Sequence, residues 1–347
     1  MGLSFVSEPV RVRVPATSAN LGPGFDSLGL ALALHDQVSA RVTAGGCQVT
    51  VTGAGAGELP DDDTHLVVRA MRATFDLLGG QPRGLALDCV NGIPQARGLG
   101  SSSAAIVAGV ELARALVADG ADRLDDAGAL RLAAEIEGHP DNVAPCLLGG
   151  FTIAWTETTA PAVAGMAGVA SVNAVAAEAA DAADAAVTNP ADGARAVTLR
   201  PSAAVTPVLF VPEERGLTAV ARAALPATVP HHDAARNAGR AALLVHALTV
   251  DPSLLFPATE DRLHQDYRAT GMPGTAALVT ALREAGVAAV VSGAGPTVLA
   301  LSTVPEEFDP GIGWSVRLLP VDVTGALVDR VRLGHAERDP VAAGRKS

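Results

Sequence analysis

The chain has 347 residues, of which 49% are hydrophobic and 18% charged, and its formal net charge is −12 at pH 7. This length predicts about two domains with a substantial core, and the acidic balance argues against a nucleic-acid partner or an anionic membrane surface. Three widely separated cysteines, Cys47, Cys89 and Cys146, show neither metal spacing nor a disulfide framework, so we expect a reduced, cytoplasmic setting.

The first third of the chain predicts several strands before its main helix. Valines alternate with arginines over Val10–Val14, which is the pattern of a half-buried strand, and we expect Pro15 to end it. An irregular loop rich in turn residues follows over 16–26. Further apolar segments or strands are predicted at 28–34, 38–42, 47–51 and 84–90. A helix is predicted over Thr64–Leu78, with Asp63 or Thr64 as its cap.

A glycine- and serine-rich stretch, Pro94–Ala105, runs into an apolar helix, and we expect a serine to cap that helix. Glycine allows close backbone approach, and the first turn of a helix presents unpaired N–H groups and partial positive charge. The stretch therefore predicts a phosphate cradle, although a plain loop and cap is the alternative. It lacks the Walker A pattern, and the only lysine is Lys346. Phosphate charge must then be met by backbone N–H groups, a helix dipole, arginine and a metal ion.

The densest polar cluster of the sequence follows the next predicted helix, 130–137, which we expect to end at Gly138. Two prolines predict that 139–145 is irregular. The cluster contains Glu135, Glu137, His139, Asp141 and Asn142. Carboxylate and hydroxyl oxygens are ligands that Mg²⁺ prefers, so a glutamate here and a serine of the glycine-rich stretch could share the ion. A solvated helix end is the alternative.

The remaining chain mixes strands and helices without a regular βαβ period, which favours the α+β class. Strands are predicted at 147–155, 204–211, 287–291, 297–301 and 316–323, and helices at 218–224, 233–248 and 275–285. Between the halves the composition turns to alanine from Thr158 to about Asp192, which suggests an insertion or linker. We predict an N-terminal domain over 1–160, an insertion over 161–200, a C-terminal domain over 201–330 and a tail over 331–347.

Several isolated residues are further candidates for ligand contacts. Asn20 and Asp26 share one loop and could hold an ammonium group and a hydroxyl, or only stabilise a turn. Arg222 and Arg268 could each bind a carboxylate or phosphate, or lie on the surface. The glycine turn Ser292–Thr297 could approach a ligand closely or simply join two strands.

Taken together, these motifs resemble those of the GHMP kinases. The stretch Pro94–Ala104 resembles the second motif of that family, and Ser292–Thr297 resembles the third. Within the family, Val14–Gly29 and Glu137–Pro145 are similar to the homoserine kinase branch. The resemblance covers nearly the whole chain apart from the alanine-rich insertion and the tail.

This resemblance implies an α+β, two-domain GHMP kinase fold, with an N-terminal domain like ribosomal protein S5 domain 2 and a ferredoxin-like C-terminal domain. It implies Mg²⁺ held by Ser102 and Glu137, with Glu135 as the rival glutamate. It also places ATP on Pro94, Gln95, Ala96, Arg97, Gly98, Leu99, Gly100, Ser101, Ser102, Ser103 and Ala104.

The implied activity is ATP-dependent phosphorylation of L-homoserine to O-phospho-L-homoserine, a step toward threonine. Substrate contacts are expected at Asn20, Asp26, His139, Arg222, Arg268, Gly293 and Thr297. Asn142 and Asp141 are the candidate catalytic residues, although direct attack by the hydroxyl without a dedicated base is consistent with the sequence. The alternatives are a mevalonate- or shikimate-type kinase and a non-catalytic binding protein. We expect no nucleic-acid or membrane partner, and a homodimer remains open.

Overall fold

The computed structural model describes residues 3–157 and 192–330. Most of the predicted alanine-rich insertion, at 158–191, and the predicted tail after residue 330 lie outside that range. Within it, strands and helices mix in both halves, in agreement with the predicted α+β class. None of the described helices is long and apolar enough to span a bilayer.

The larger sheet has seven strands and takes its residues mainly from the first half of the chain. They are β1 (Val10–Ala19), β2 (Leu28–Thr43), β3 (Gly46–Gly53), β4 (Gly84–Asn91), β5 (Phe151–Glu157), β6 (Gly193–Leu199) and β11 (Leu327–Arg330). Their order is β11-β1-β2-β4-β3, and β5 joins β2 to β6. The valines of β1 are fully buried, as their alternation with arginine predicts.

Five helices belong to this part of the chain: α1 (Leu66–Leu78), α2 (Ser101–Leu116), α3 (Gly120–Arg123), α4 (Asp126–Glu137) and α5 (Pro140–Leu148). Helix α2 packs against β1 and lies beside α1, α4 and α5. Its side chains Ile106, Val107 and Leu112 are buried, and each such side chain contributes about 1.5–3 kcal/mol through burial. Gly109 lets α1 approach, because an added Cβ there would lie 2.5 Å from the Val67 carbonyl oxygen.

The smaller sheet has four strands in the order β10-β7-β9-β8. They are β7 (Val208–Pro212), β8 (Ala289–Val291), β9 (Val298–Ala300) and β10 (Trp314–Leu318). The accompanying helices are α6 (Thr218–Ala223), α7 (His231–Thr249), α8 (Leu255–Ala258), α9 (Gln265–Arg268) and α10 (Pro273–Glu284), with short 3-10 turns at Pro252–Leu254 and Ala269–Gly271. Phe210 and Leu282 lie in a core of their own, whereas Leu244 and Val290 extend the larger core.

Two proline-based predictions are wrong. Strand β1 continues past Pro15 to Ala19, because a shift in its register against β2 between Pro15 and Ala16 accommodates a residue without an N–H donor. The segment 139–145 is not irregular but forms most of α5. Pro140 occupies the first turn of α5, where the missing N–H has no intrahelical partner anyway.

Two predicted helix caps also differ. Helix α2 is not capped by a serine: Gly100, in the left-handed region at φ 68°, is its N-cap, and Ser101, Ser102 and Ser103 are already helical. Helix α1 is capped by His65, whose Nδ1 accepts a hydrogen bond from the Val67 N–H, rather than by Asp63 or Thr64.

Residues at the borders of the predicted segments add to the larger sheet. Strand β6, at 193–199, pairs with β5, although it was predicted to belong to the insertion. Strand β11, which the sequence analysis did not identify, pairs with β1. The larger sheet therefore includes one strand that precedes, and one that follows, the strands of the smaller sheet in the sequence.

Candidate active site

A cavity of about 410 Å³ is lined by segments from both halves of the chain. The predicted site residues on its surface are Asn20, Asp26, Gln95, Ala96, Arg97, Gly98, Gly100, Ser101, Ser102, Ala104, Glu137, His139, Asp141, Asn142, Arg222, Arg268 and Gly293. The predicted site residues that do not line it are Pro94, Leu99, Ser103, Glu135 and Thr297. The motifs that lie far apart in the sequence thus meet around one cavity.

One end of the cavity is formed by the glycine loop before α2. Gly98 and Gly100 have φ values of 72° and 68°, which favour glycine. An added Cβ would lie 2.3 Å from the Ser292 carbonyl oxygen at Gly98, and 1.9 Å from Thr17 Oγ1 at Gly100. The loop is therefore pressed between β1 and the turn after β8, and it delivers the N-terminus of a 16-residue helix to the cavity. Such a helix end favours anions.

Ser102 and Glu137 come together at this end. The Glu137 Oε1 atom accepts hydrogen bonds from Ser102 Oγ at 2.7 Å and from Ser103 Oγ at 2.8 Å. Glu135 is exposed and lies outside the cavity. The Ser102 hydroxyl and the Glu137 carboxylate to which it donates are oxygen ligands of the type that Mg²⁺ prefers. Within residues 3–157 and 192–330, no cluster of three or more histidine, cysteine or acidic side chains suits a metal on its own.

Helix α5 presents the next polar group. His139 Nδ1 lies 2.7 Å from Asp141 Oδ1, and Asp141 is 1% exposed. Burial lowers the pKa of His139, but the hydrogen bond and charge of Asp141, together with Glu137, outweigh it and raise that pKa above its ordinary value. Asn142 Oδ1 accepts a hydrogen bond from Thr17 Oγ1 at 2.8 Å, which fixes the amide orientation. The carboxylate of Asp141 is thus already engaged by an imidazole.

On another part of the cavity wall, Asp26 and Arg222 form a two-pronged ion pair, with N···O distances of 2.9 and 3.0 Å. The Asp26 N–H donates to Asn20 Oδ1 at 3.0 Å, and Asn20 Nδ2 donates to the Gly293 carbonyl oxygen at 2.9 Å. Asn20 and Asp26 both have positive φ, at 66° and 56°. The loop is therefore held in an unusual shape that directs Asp26 toward α6.

Arg268 is 3% exposed, yet no carboxylate of the described ranges pairs with it. Its Nε donates to the Ala221 carbonyl oxygen at 3.0 Å, and its Nη1 lies 3.2 Å from His264 Nδ1 and 3.4 Å from the Gly293 carbonyl oxygen. Burial, and after it the nearby Arg222, lower the pKa of Arg268. A buried guanidinium on a cavity wall without a carboxylate partner is suited to an anionic ligand.

The site differs from the sequence-based expectation at Thr297, and it includes Phe25 and His264, which were not predicted. Thr297 is fully buried, and its N–H donates to the Arg97 carbonyl oxygen at 3.3 Å, so it supports the glycine loop from behind and does not face the cavity. The ring of Phe25 lies under both arginines, with guanidinium carbons 5.7 Å (Arg222) and 5.5 Å (Arg268) from its centroid. His264 was also missed, and its spacing of four residues before Arg268 was the available signal.

Comparisons with known proteins agree with this geometry. Residues 65–150 match the family model "GHMP kinases N terminal domain", and residues 234–309 match "GHMP kinases C terminal". The chain is 53% identical to the homoserine kinase of Streptomyces coelicolor over 331 residues, covering 94% of this chain and 96% of that one. It is 46% identical to the homoserine kinase of Leifsonia xyli over 93% and 92% of the two chains. A crystal structure of homoserine kinase from Cytophaga hutchinsonii superposes with a TM-score of 0.71 at 26% identity, covering 95% of this chain and all of that one.

Proposed function

The chain belongs to the homoserine kinase branch of the GHMP kinases, and from that premise we propose that it transfers the γ-phosphoryl group of ATP to the side-chain hydroxyl of L-homoserine, giving O-phospho-L-homoserine. The observation that carries the proposal is that two kinds of charged groups line one cavity. A glycine loop and helix end that suit phosphates form part of the wall, and two arginines with an aspartate form another part. A nucleotide and a small zwitterion fit those two parts.

The residues from Gln95 to Ala104 that line the cavity are proposed to hold the triphosphate. No lysine occurs before Lys346, so this grip relies on main-chain N–H groups and on the partial positive charge of α2. Phosphoryl transfer demands alignment and charge neutralisation more than covalent participation by the protein. The rigid packing of Gly98 and Gly100 against β1 and the 292–297 turn supports that alignment.

Ser102 and Glu137 are proposed to hold a magnesium ion, and the oxygen-only character of this pair fits that ion. When bound, Mg²⁺ neutralises charge that develops on the phosphate oxygens. The protein's part is to keep the Glu137 carboxylate beside the two serine hydroxyls, which their hydrogen bonds achieve.

The amino acid is proposed to separate the Asp26–Arg222 pair, which lines the same cavity. Its ammonium group would face Asp26, and its carboxylate would face Arg222 and Arg268. In this exchange Asp26 gains the ammonium group in place of Arg222, and the two arginines share the carboxylate. We favour homoserine over mevalonate or shikimate because the amino acid carries a cationic group for Asp26 as well as a carboxylate for the arginines.

Asn142 is proposed to orient the reacting hydroxyl, with His139 as a further substrate contact. Asp141 is unsuited to act as a free general base, because its carboxylate is 1% exposed and bonded to His139. Direct attack by the hydroxyl, aligned by the cavity, is the mechanism that these contacts favour.

We also propose a cytoplasmic location, supported by three free cysteines.

The decisive experiment is a substrate panel. Purified protein is incubated with MgATP and either L-homoserine, mevalonate or shikimate, and ADP release is measured. We expect release with L-homoserine alone, and its loss in Ser102→Ala. Release with mevalonate or shikimate but not homoserine would support a different small-alcohol kinase, and no release with any alcohol would support a binding protein without turnover.

A further inference from the structure

His264 is a fully buried imidazole that bridges the two segments proposed to bind the charged groups of the amino acid. Its Nδ1 lies 3.2 Å from Arg268 Nη1, and its Nε2 lies 2.9 Å from the Gly22 carbonyl oxygen. A guanidinium can only donate and a carbonyl can only accept, so Nδ1 is the acceptor and Nε2 carries the proton. One neutral tautomer satisfies both contacts, and burial lowers the pKa of His264, which favours that neutral form.

The two contacts connect His264 to two segments with different proposed ligands: the Asp26 loop for the ammonium group, and Arg268 for the carboxylate. Gly22 lies in the loop between Asn20 and Asp26 and has φ +81°. An added Cβ there would lie 2.9 Å from the Thr259 carbonyl oxygen. Arg268 lies one helical turn after His264 and faces the cavity. The imidazole also packs against Phe25, with ring centroids 5.3 Å apart.

His264 is also the only side chain to which Arg268 donates a hydrogen bond in the described part of the chain, since its other acceptors are backbone carbonyls. Asp261 does not compete with Gly22 for the Nε2–H group of His264. Its Oδ2 accepts from the backbone N–H groups of His264 and Gln265, and it lies 3.8 Å from His264 Nε2. The Arg268 guanidinium is therefore oriented by the Nδ1 lone pair of His264 together with the carbonyl oxygens of Ala221 and Gly293.

We propose that His264 is a positioning residue for substrate recognition: by accepting from Arg268 through Nδ1 and donating to Gly22 through Nε2, it aims the guanidinium at the substrate carboxylate and holds the Asp26 loop. This inference rests on the proposed function, because it takes the carboxylate of the amino acid as the ligand of Arg268. His264 itself does not line the cavity and touches no reacting atom.

The test uses two replacements that each keep one of the two contacts. The amide of His264→Asn can occupy the place of Nδ1 and retain an acceptor for Arg268, whereas the longer His264→Gln can occupy the place of Nε2 and retain the donor to Gly22. For each variant, KM is measured for L-homoserine and for ATP. Ki is measured for 3-aminopropan-1-ol, a competitor that has the ammonium and hydroxyl groups but lacks the carboxylate.

We expect His264→Gln to raise KM for L-homoserine about 10-fold or more, as for loss of a hydrogen bond to a charged group, with Ki for 3-aminopropan-1-ol and KM for ATP changed less than about 2-fold. His264→Asn keeps the acceptor for Arg268 but loses the donor that holds the Asp26 loop, so it should raise KM for L-homoserine and Ki for 3-aminopropan-1-ol by similar factors. The control Leu278→Ala removes a buried side chain from the separate smaller core, and it should leave the ratio of KM to Ki unchanged.

Equal shifts of KM and Ki in His264→Gln, or no shift in either, would overturn the proposal. A measurement on the wild-type protein keeps it testable if the variants fold poorly: imidazole ¹⁵N NMR should show the neutral Nε2–H form of His264, and an Nδ1–H form would contradict it. Inactivity of the wild-type protein toward L-homoserine would instead overturn the proposed function.

Discussion

Glu137 and Glu135 differ in position by two residues and differ completely in surroundings. Glu137 accepts from two serine hydroxyls at the cavity, whereas Glu135 is exposed. We predict that Glu137→Gln lowers kcat with L-homoserine at least about 100-fold, because it removes the charge of the proposed magnesium ligand. The MgCl₂ concentration for half-maximal rate should rise in the same variant. Glu135→Gln serves as the matched replacement, and if it caused the larger loss, the assignment of the ligand would have to be exchanged.

Asp26 pairs with Arg222 where the amino acid is proposed to bind. We predict that Asp26→Asn lowers kcat/KM for L-homoserine about 10- to 100-fold, because the ammonium group loses a charged acceptor. The same change should have little effect on 4-hydroxybutanoate, which lacks the amino group. Steady-state kinetics with both alcohols measure this difference, and a similar loss with both would mean that Asp26 only maintains the loop.

At the residue scale, the sequence motifs include many residues that line the cavity, but not those at 64–67 and 216–218, and they do not show how the residues pair. Ser102, Glu137 and Gly293 line the cavity, and their roles stay predictions. The bond between Asp26 and Arg222 was not foreseen, because it joins residues 196 positions apart. Thr297 could not be separated from Gly293 by sequence, because both lie in the connection between β8 and β9, and the path of that connection decides which of them faces the cavity.

Helix α2 depends on the glycine at its start. Gly100 combines φ 68° with a position where an added Cβ would lie 1.9 Å from Thr17 Oγ1. We predict that Gly100→Ala lowers the free energy of unfolding by about 1–3 kcal/mol and raises KM for ATP, because the loop must move away from β1. Urea denaturation and steady-state kinetics measure the two effects.

Gly239 is the matched control for that change. It is exposed within α7, and an added Cβ would meet no atom within 4 Å. Gly239→Ala should therefore increase the free energy of unfolding by about 0.5–1 kcal/mol, through a less flexible unfolded chain and a better helix former. If both variants were equally stable, backbone strain at Gly100 would have to be smaller than its φ indicates.

At the scale of elements, hydrophobic periodicity predicted the main helices well, and local rules failed at prolines and sheet edges. Helix α4 ends at Gly138 as expected. Strand β1 passes Pro15, and α5 contains Pro145, because tertiary packing on both sides outweighs the loss of one backbone donor. Strand β6 was missed because its residues follow an alanine-rich segment with no apolar alternation of their own.

The stability of the whole molecule should respond to Asp36, which is 5% exposed. Burial raises its pKa from 3.8 to about 6, although its Oδ1 accepts from the Ile93 and Gly92 N–H groups. Between pH 4 and 6 the folded state therefore holds more protons at this site than the unfolded state. Its contribution to stability is present at low pH and is lost as pH rises through about 6.

We predict that Asp36→Asn removes the loss of stability that occurs in the wild-type protein as pH rises through about 6. The amide oxygen can still accept from both N–H groups, but it carries no charge to desolvate. At pH 7 the variant should be more stable than wild type by an amount on the order of 2 kcal/mol, and near pH 4 the two should be similar. Urea denaturation at both pH values tests this, and a variant that is less stable at pH 7 would show that the charge itself is needed.

At the scale of the molecule, composition and motif order predicted an α+β chain with two units, and the family assignment agrees. The division at 160 and 200 stays a prediction, and the sheets cross it. Residues 193–199 and 327–330 extend the larger sheet, and the Asp322 carboxylate accepts from the Thr324 and Gly325 N–H groups beside His35. Long-range pairing of this kind leaves no local signal in a sequence.

The pairing of β11 with Val10–Arg13 has a consequence for synthesis on the ribosome. Strand β1 receives one of its two neighbours from residues that are translated more than 300 positions later. Until translation reaches that point, one border of β1 stays open to other nascent chains. A ribosome that stalls within the smaller unit would therefore release a fragment with an unfinished sheet rather than a working half of the enzyme.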